Sequence, residues 1–168
     1  MSNEKRGITT FLTANKGTPL VIIQFLLMGV FILAPVWQPS GIEKIAESLH
    51  IPRTILAVLC GIIALLSGGI GSRNIKQYLT PLPYPVEDNE LVTTGVYRLV
   101  RHPLYSSLLF AGFGWVVYTL SLSHLLLLIG AFFFFSFKAA KEEEWLTERH
   151  PEYAEYKRRV KKFIPFIY

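Results

Sequence analysis

The chain has 168 residues, enough for one domain of ordinary size. Apolar types make up 51% of it and charged types only 17%, against about 25% in typical soluble domains, which argues against a water-soluble globular protein. A net charge of +5 would suit an anionic partner, but the basic residues flank apolar runs without any recognition fold, so nucleic-acid binding is excluded.

In chain order, a basic segment with Lys5, Arg6 and Lys16 precedes the first uncharged run, 19–37. That run is long, and no small-x-small cleavage site follows it, so it reads as a retained first span rather than a cleaved leader. A short loop, 38–53, then caps the outer face, and a second uncharged run occupies 54–72. Cys60, the lone cysteine, lies inside this run as a small packing residue. The "GGIGS" of 68–72 is not a nucleotide loop, because Asn74 stands where the third glycine of G-x-G-x-x-G would be. With Gly61 and Ala64 it forms a small-residue face for close helix packing.

The loop 73–102 carries Pro81, Pro83 and Pro85, which favour an extended path. From 103 to 137 no charge occurs for 35 residues, too many for one crossing of about 20 and enough for two. The polar "TLSLSH", 119–124, is the natural tip of a helical hairpin, giving spans at 103–119 and 122–138. "KAAKEEEWLTERH" extends the fourth span, and Pro151 opens a further helix. There Tyr153, Tyr156, Val160 and Phe163 fall at helical spacing among basic residues, as in an amphipathic helix on the inner membrane surface.

The expected fold is therefore all-α: an integral-membrane bundle of about four transmembrane helices with a cytoplasmic amphipathic C-terminal helix. Residues 1–72 form an N-terminal segment with two spans, and 73–168 form the core. Of the 17 lysines and arginines, only Lys44 and Arg53 fall on one side of this arrangement, which places both termini and the loop 73–102 in the cytoplasm.

Chemistry concentrates at "GVYRLVRHPLYSSLLF", 95–110. By composition alone, Arg98, Arg101 and His102 mark a membrane edge within an interfacial aromatic belt. However, Pro103 suits a first helical position, so the free N–H groups of the third span point at the loop beside Arg101 and His102. Tyr97 and Tyr105 add aromatic faces suited to a cation or a flat base. Glu142, Glu143 and Glu144 follow the fourth span on the same side, so a carboxylate cluster faces the histidine–arginine–tyrosine cluster across one hairpin. This pattern suits a zwitterionic cofactor carrying a cation and a heterocycle.

"ELVTTGVYRLVRHPLYSS" followed by a hairpin and "EEEWLTERHPEYAEYKRRV" resembles the isoprenylcysteine carboxyl methyltransferase family, integral-membrane enzymes related to phospholipid N-methyltransferases. The resemblance covers residues 73–168. It implies S-adenosylmethionine as methyl donor, held without a Rossmann domain. It also implies cofactor contacts at Asn89, Glu90, Leu91, Val92, Tyr97, His102, Pro103, Leu104, Tyr105 and Glu142, and an acceptor contact at Lys138. Lys138 stands where the family's isoprenylcysteine enzymes carry arginine, and lysine lacks the bidentate fork. Glu142 would accept from the cofactor's ammonium, while Arg101 and His102 would serve its carboxylate. His102 would be the nearest base for an amine or thiol acceptor, and no metal is called for.

The expected activity is thus methyl transfer to a lipophilic acceptor, by carboxyl O-methylation of an isoprenylcysteine-like substrate or N-methylation of a lipid amine. Two rivals differ in class: a sterol-reductase-like enzyme using a nicotinamide cofactor, and a non-enzymatic membrane scaffold or transporter.

Overall fold

A computed structural model describes residues 17–75 and 91–168. Helix α1, Thr18–Leu33, begins after Gly17 and carries Pro19 in its first turn. It stops short of the expected 37 because Ala34, which precedes Pro35, is extended, as the proline ring requires. A short helix α2, Glu43–Ser48, leads into α3, His50–Asn74, which is 25 residues long. A single 3-10 turn, Gly95–Arg98, precedes α4, Pro103–Thr119. Helix α5, Leu122–Arg149, runs 28 residues, and α6, Tyr153–Arg159, follows after a sharp turn. Among the described residues there is no strand, only an isolated parallel bridge between Val100 and Lys161.

Two of these helices, α3 and α5, are long and apolar enough to cross a membrane by length and composition, and α1 is a shorter apolar helix. Their large apolar side chains point outward: Leu33 is 84% exposed, Leu65 77% and Phe133 66%. So much exposed hydrocarbon on long uncharged stretches of helix calls for a lipid surround. The charges of α5 begin at Lys138, beyond its apolar stretch.

Helix α3 packs along α4 through small residues. A side chain built on Gly68 would meet the Ser107 hydroxyl at 2.7 Å, and one on Gly71 would meet the Pro103 ring at 3.1 Å. The approach is reciprocated at Gly114 of α4, where an added Cβ would lie 3.1 Å from the Ala57 carbonyl oxygen. The "GGIGS" stretch thus serves packing through Gly68 and Gly71, while Gly61 has open space beside it.

The hairpin turns at Leu120, whose φ of 52° is left-handed. Ser121 then caps α5, its hydroxyl accepting from the His124 N–H. The tip is tied to the first loop: Leu122 N–H donates to the Trp37 carbonyl at 2.9 Å, and the Ser123 hydroxyl to that of Pro35 at 2.6 Å. Arg53, at the start of α3, reaches the Tyr118 carbonyl at 3.0 Å. The first loop and the hairpin tip therefore share one end of the bundle, leaving the His102 and Glu142 segments together at the other.

At that second end the helical spacing expected through Phe163 stops at Arg159. Val160 is extended, and the next residues run as a strap alongside 100–102. The reason lies in the backbone: Arg101 N–H donates to the Lys161 carbonyl at 2.8 Å and His102 N–H to that of Lys162 at 3.1 Å. Phe163 then inserts into the core with Phe135 and Ala139, only 1% exposed. The proline-rich segment 76–90 lies outside the described residues.

Gly114→Leu is expected to destabilise the bundle by about 1–3 kcal/mol through overpacking against Ala57. Gly61→Ala, with nothing in its way, should be neutral or mildly stabilising. Thermal unfolding of the two variants in one detergent checks this contrast.

Candidate active site

The start of α4 and the polar end of α5 meet in a buried charge cluster. Glu143 is 1% exposed, a position in which a carboxylate requires compensation. Arg101 supplies it through Nε at 2.9 Å and Nη2 at 2.8 Å, both on Oε1. His102 Nε2 reaches the same oxygen at 3.0 Å, and Lys157 of α6 reaches Oε2 at 3.0 Å. Arg101 also donates through Nη1 to the carbonyls of Lys157 and Val160, fastening α6 and the strap over the cluster.

His102 is held on its other side as well. Its Nδ1 lies 3.3 Å from Glu142 Oε2, so each ring nitrogen faces a carboxylate. Only the doubly protonated ring can donate to both. Burial works against that charge, but the hydrogen bonds and charges of Glu142 and Glu143 outweigh it and raise the histidine pKa above its ordinary value. Glu143 lies beyond the apolar stretch of α5. Burial there opposes ionisation, yet the hydrogen bonds from His102 and Lys157 and the charges of His102 and Arg101 bring it down to about 2.

Glu142 is the more open carboxylate, with its side chain 14% exposed. Its Oε1 accepts from the Tyr105 hydroxyl. The Tyr105 ring stacks on His102 at 5.6 Å and on Phe135 at 5.0 Å, and Lys138 Nζ sits over it at 5.2 Å. Lys138, 1% exposed, donates to Gln24 Oε1 of α1 at 2.6 Å. Ser106, one turn into α4, donates to the carbonyls of His102 at 3.0 Å and Phe163 at 2.8 Å. The bend of the chain at His102 is thereby locked to both the helix and the strap.

Among the residues singled out from sequence, Arg101, His102, Tyr105, Lys138 and Glu142 come together here. Tyr97 is buried nearby, its carbonyl accepting from the Tyr156 hydroxyl at 2.6 Å; burial first, and then the charges around it, push its own phenol above the ordinary range. Pro103 and Leu104 turn toward Gly71 of α3, and Leu91 and Val92 are half-buried ahead of the 3-10 turn. Asn89 and Glu90 lie outside the described residues. Glu143, expected only as one member of the facing carboxylate cluster, is the buried partner of Arg101 and His102, while Lys157 and Gln24 are not singled out by the sequence. Gln24 left a signal, as the one amide side chain in an otherwise apolar 19–37 run.

Comparison with known proteins adds the chemistry. Residues 52–153 match the family model for phospholipid methyltransferase. The chain is 34% identical over 83 residues to the protein-S-isoprenylcysteine O-methyltransferase B of Arabidopsis thaliana, covering 48% of this chain and 42% of that protein. It is 27% identical over 162 residues to the cobalt-zinc-cadmium resistance protein CzcN of Cupriavidus metallidurans, covering 95% of this chain and 68% of that one. An apolar helical fold together with these matches defines a membrane methyltransferase. The chain belongs to the phospholipid methyltransferase family. Neither the reductase reading nor the scaffold reading is favoured by these relatives.

Glu143→Gln should cost about 3–5 kcal/mol of stability, because it leaves the buried Arg101 uncompensated and His102 with Glu142 alone. Glu142→Gln, at the more open position, should cost less. The pH dependence follows from the two shifts. The raised histidine contributes stability fully below its ordinary 6.5 and loses it as pH rises through the higher folded value. The depressed Glu143 contributes above its ordinary 4.5 and loses it as pH falls toward about 2. The melting-temperature gap between the native protein and His102→Gln should therefore be widest between about pH 4.5 and 6.5 and narrow on the alkaline side. A gap that widens above pH 7 would contradict a cationic His102.

Proposed function

We propose that the protein transfers a methyl group from S-adenosylmethionine to a lipophilic acceptor that enters from the bilayer. The reading rests on one observation above others: an accessible carboxylate, Glu142, held by Tyr105 and His102 at the meeting point of α4 and α5. Four spans, with both termini and this cluster on the cytoplasmic side, fit the distribution of lysine and arginine.

The residues present fit this cofactor. Glu142 is an acceptor for an ammonium group, and the Tyr97 ring beside it suits a sulfonium or an adenine, whereas the Tyr105 ring is already stacked on His102 and Phe135 and contributes its hydroxyl. The first-turn N–H groups of α4, beside the Arg101–His102 pair, suit a carboxylate. When bound, S-adenosylmethionine supplies an electrophilic methyl on a sulfonium centre. The protein's part is then to hold acceptor and donor in line and to keep water out, the two effects through which a direct displacement gains most. Leu91, Val92, Pro103 and Leu104 belong to the walls of this site in our reading; the contacts that the resemblance implies at Asn89 and Glu90 lie outside the described residues.

The state of His102 bears on the acceptor. An amine or thiol has to shed a proton, whereas a carboxylate acceptor requires no base. With a carboxylate at each nitrogen, His102 is a donor and a positioning cation rather than a free base. Carboxyl O-methylation therefore fits the cluster better than N-methylation. Arg101 acts through Glu143 and the strap, keeping His102 in place.

Detergent-solubilised protein should bind S-adenosylmethionine and its demethylated product, and Glu142→Gln should weaken that binding by about 1.5–3 kcal/mol. Calorimetry showing full affinity in both Glu142→Gln and His102→Ala would remove this pocket. The orientation has its own check. Ser40→Cys, on the exposed first loop, should react with an impermeant thiol reagent in intact cells, and Lys161→Cys should not. The reverse pattern would put the site in the wrong compartment.

A further inference from the structure

Beyond α6 and the strap, residues 163–168 fold into a closed hook. The N–H groups of Phe163 and Ile164 both donate to the Tyr168 carbonyl oxygen, at 2.7 and 2.8 Å, and the Ile167 N–H donates to the Ile164 carbonyl at 3.2 Å. The last bond closes a turn with Pro165 and Phe166 at its centre. Phe166 has a left-handed φ of 65°, and a type II turn calls for glycine at this position. A bulky residue there strains the backbone. Yet Phe166 is 90% exposed and Ile167 beside it 73% exposed. The turn thus holds two large apolar side chains outward at a cost that glycine would avoid.

The hook lies back along the uncharged part of α5. The Tyr168 ring packs on Phe132 at 5.5 Å and on Phe163 at 6.0 Å. Phe132 precedes Lys138, where the charges of α5 begin, by six residues, or about 9 Å of helix. The hook therefore reaches the level at which hydrocarbon surrounds the bundle. Behind it stand the basic residues of α6 and the strap: 152–168 carry five lysines and arginines against two glutamates. Lys157 is committed to Glu143, and Lys162 Nζ sits over the Tyr168 ring at 5.5 Å. Arg158, Arg159 and Lys161 are exposed, and Arg159 meets Glu155 only across an exposed 3.5 Å pair. An apolar tip with a basic rim complements an anionic lipid leaflet, the rings and branched chains entering hydrocarbon while the cations stay with the head groups.

We infer that the turn at Phe166 and Ile167, with Arg158, Arg159 and Lys161, docks on anionic lipid of the adjacent leaflet, and that this docking holds the strap against His102. The inference rests on the methyl-transfer reading only for its effect on the donor, and it deepens that reading by naming what regulates the site. The link is short. The hook closes on Phe163, whose ring is buried with Phe135 and Ala139 and whose carbonyl accepts from Ser106. The two residues before it, Lys161 and Lys162, hold the Arg101 and His102 N–H groups. Lipid favours the seated strap only as far as it binds that state better than a lifted one. It does so because the closed hook and seated strap gather the apolar tip and the basic rim onto one surface. Each basic residue at such a surface contributes up to about fivefold, an effect that salt screens.

The test uses protein in nanodiscs of phosphatidylcholine, with or without phosphatidylglycerol. A fluorescent label on Ile167→Cys, in a Cys60→Ala background, should be quenched by spin-labelled acyl chains and not by aqueous iodide. Amide hydrogen exchange at Arg101 and His102 should slow by at least about fivefold when phosphatidylglycerol is present. High salt, or Arg158→Gln with Arg159→Gln, should abolish that slowing. Phe166→Gly relaxes the turn, so it should melt no earlier than the native protein in detergent while losing most of the exchange response. Glycerol phosphate in solution should leave exchange unchanged. Quenching by iodide alone, quenching by neither agent (a hook covered by protein), exchange indifferent to phosphatidylglycerol, or an equal response to glycerol phosphate overturns the inference. S-adenosylmethionine affinity should rise with phosphatidylglycerol. No binding of S-adenosylmethionine alongside an intact exchange response would overturn the methyl-transfer reading and leave lipid docking standing. Binding of S-adenosylmethionine without any exchange response would do the opposite.

Discussion

A carboxylate at the membrane edge, sealed from water, governs the arrangement of the C-terminal half. Glu143 has to be compensated where it lies, and the consecutive Arg101 and His102 from one segment and Lys157 from another do so. Removing any one partner leaves charge stranded in a poorly polarisable setting, which is costly, so the segments are held together by what each would lose alone. The start of α4, the polar end of α5 and the short helix α6 are thereby fixed relative to one another. Arg101 extends the hold to the strap by donating to the carbonyls of Lys157 and Val160. The strap responds with backbone bonds to Arg101 and His102 and with the buried ring of Phe163.

The other half of the design follows from this fixed point. With Glu143 absorbing Arg101 and Lys157, Glu142 is left as the less buried carboxylate, with Tyr105 and His102 upon it. Two adjacent glutamates on one helix thus take different duties, one structural and one available to a ligand. Helix α1 packs directly on α5, which lets Gln24 reach Lys138. An apolar cavity and the charge cluster meet around Tyr105, whose ring stacks on Phe135 of the cavity wall and on His102.

Much of this was legible in the sequence because membrane helices are written in uninterrupted hydrocarbon. The hairpin appears as expected: α4 spans Pro103–Thr119, and Ser121 caps α5 within the polar stretch at its tip. Span ends were less legible. A single proline stops α1 at Leu33, and α5 runs on as a regular helix to Arg149, well past its apolar part. The tail misled for a physical reason. The 3.6-residue spacing from Tyr153 through Phe163 is real, but the carbonyls of Lys161 and Lys162 satisfy the N–H groups of Arg101 and His102 instead of continuing a helix. In the site, the pairing of His102 with a carboxylate could be anticipated from the hairpin. Which of three consecutive glutamates goes inward could not, since that depends on the rotation of α5. Gln24 stands out in the sequence as polar, but nothing local in 19–37 says which helix it will face.

The account's central claim is that a methyl donor is held where α4 and α5 meet. Ultraviolet crosslinking of radiolabelled S-adenosylmethionine to the membrane-embedded protein, followed by peptide mapping, tests it most directly. Label should fall on the peptides containing Tyr97, Tyr105 and Glu142 and disappear with excess demethylated product. Label confined to the first loop or the hairpin tip, at the opposite end of the bundle, would contradict the account.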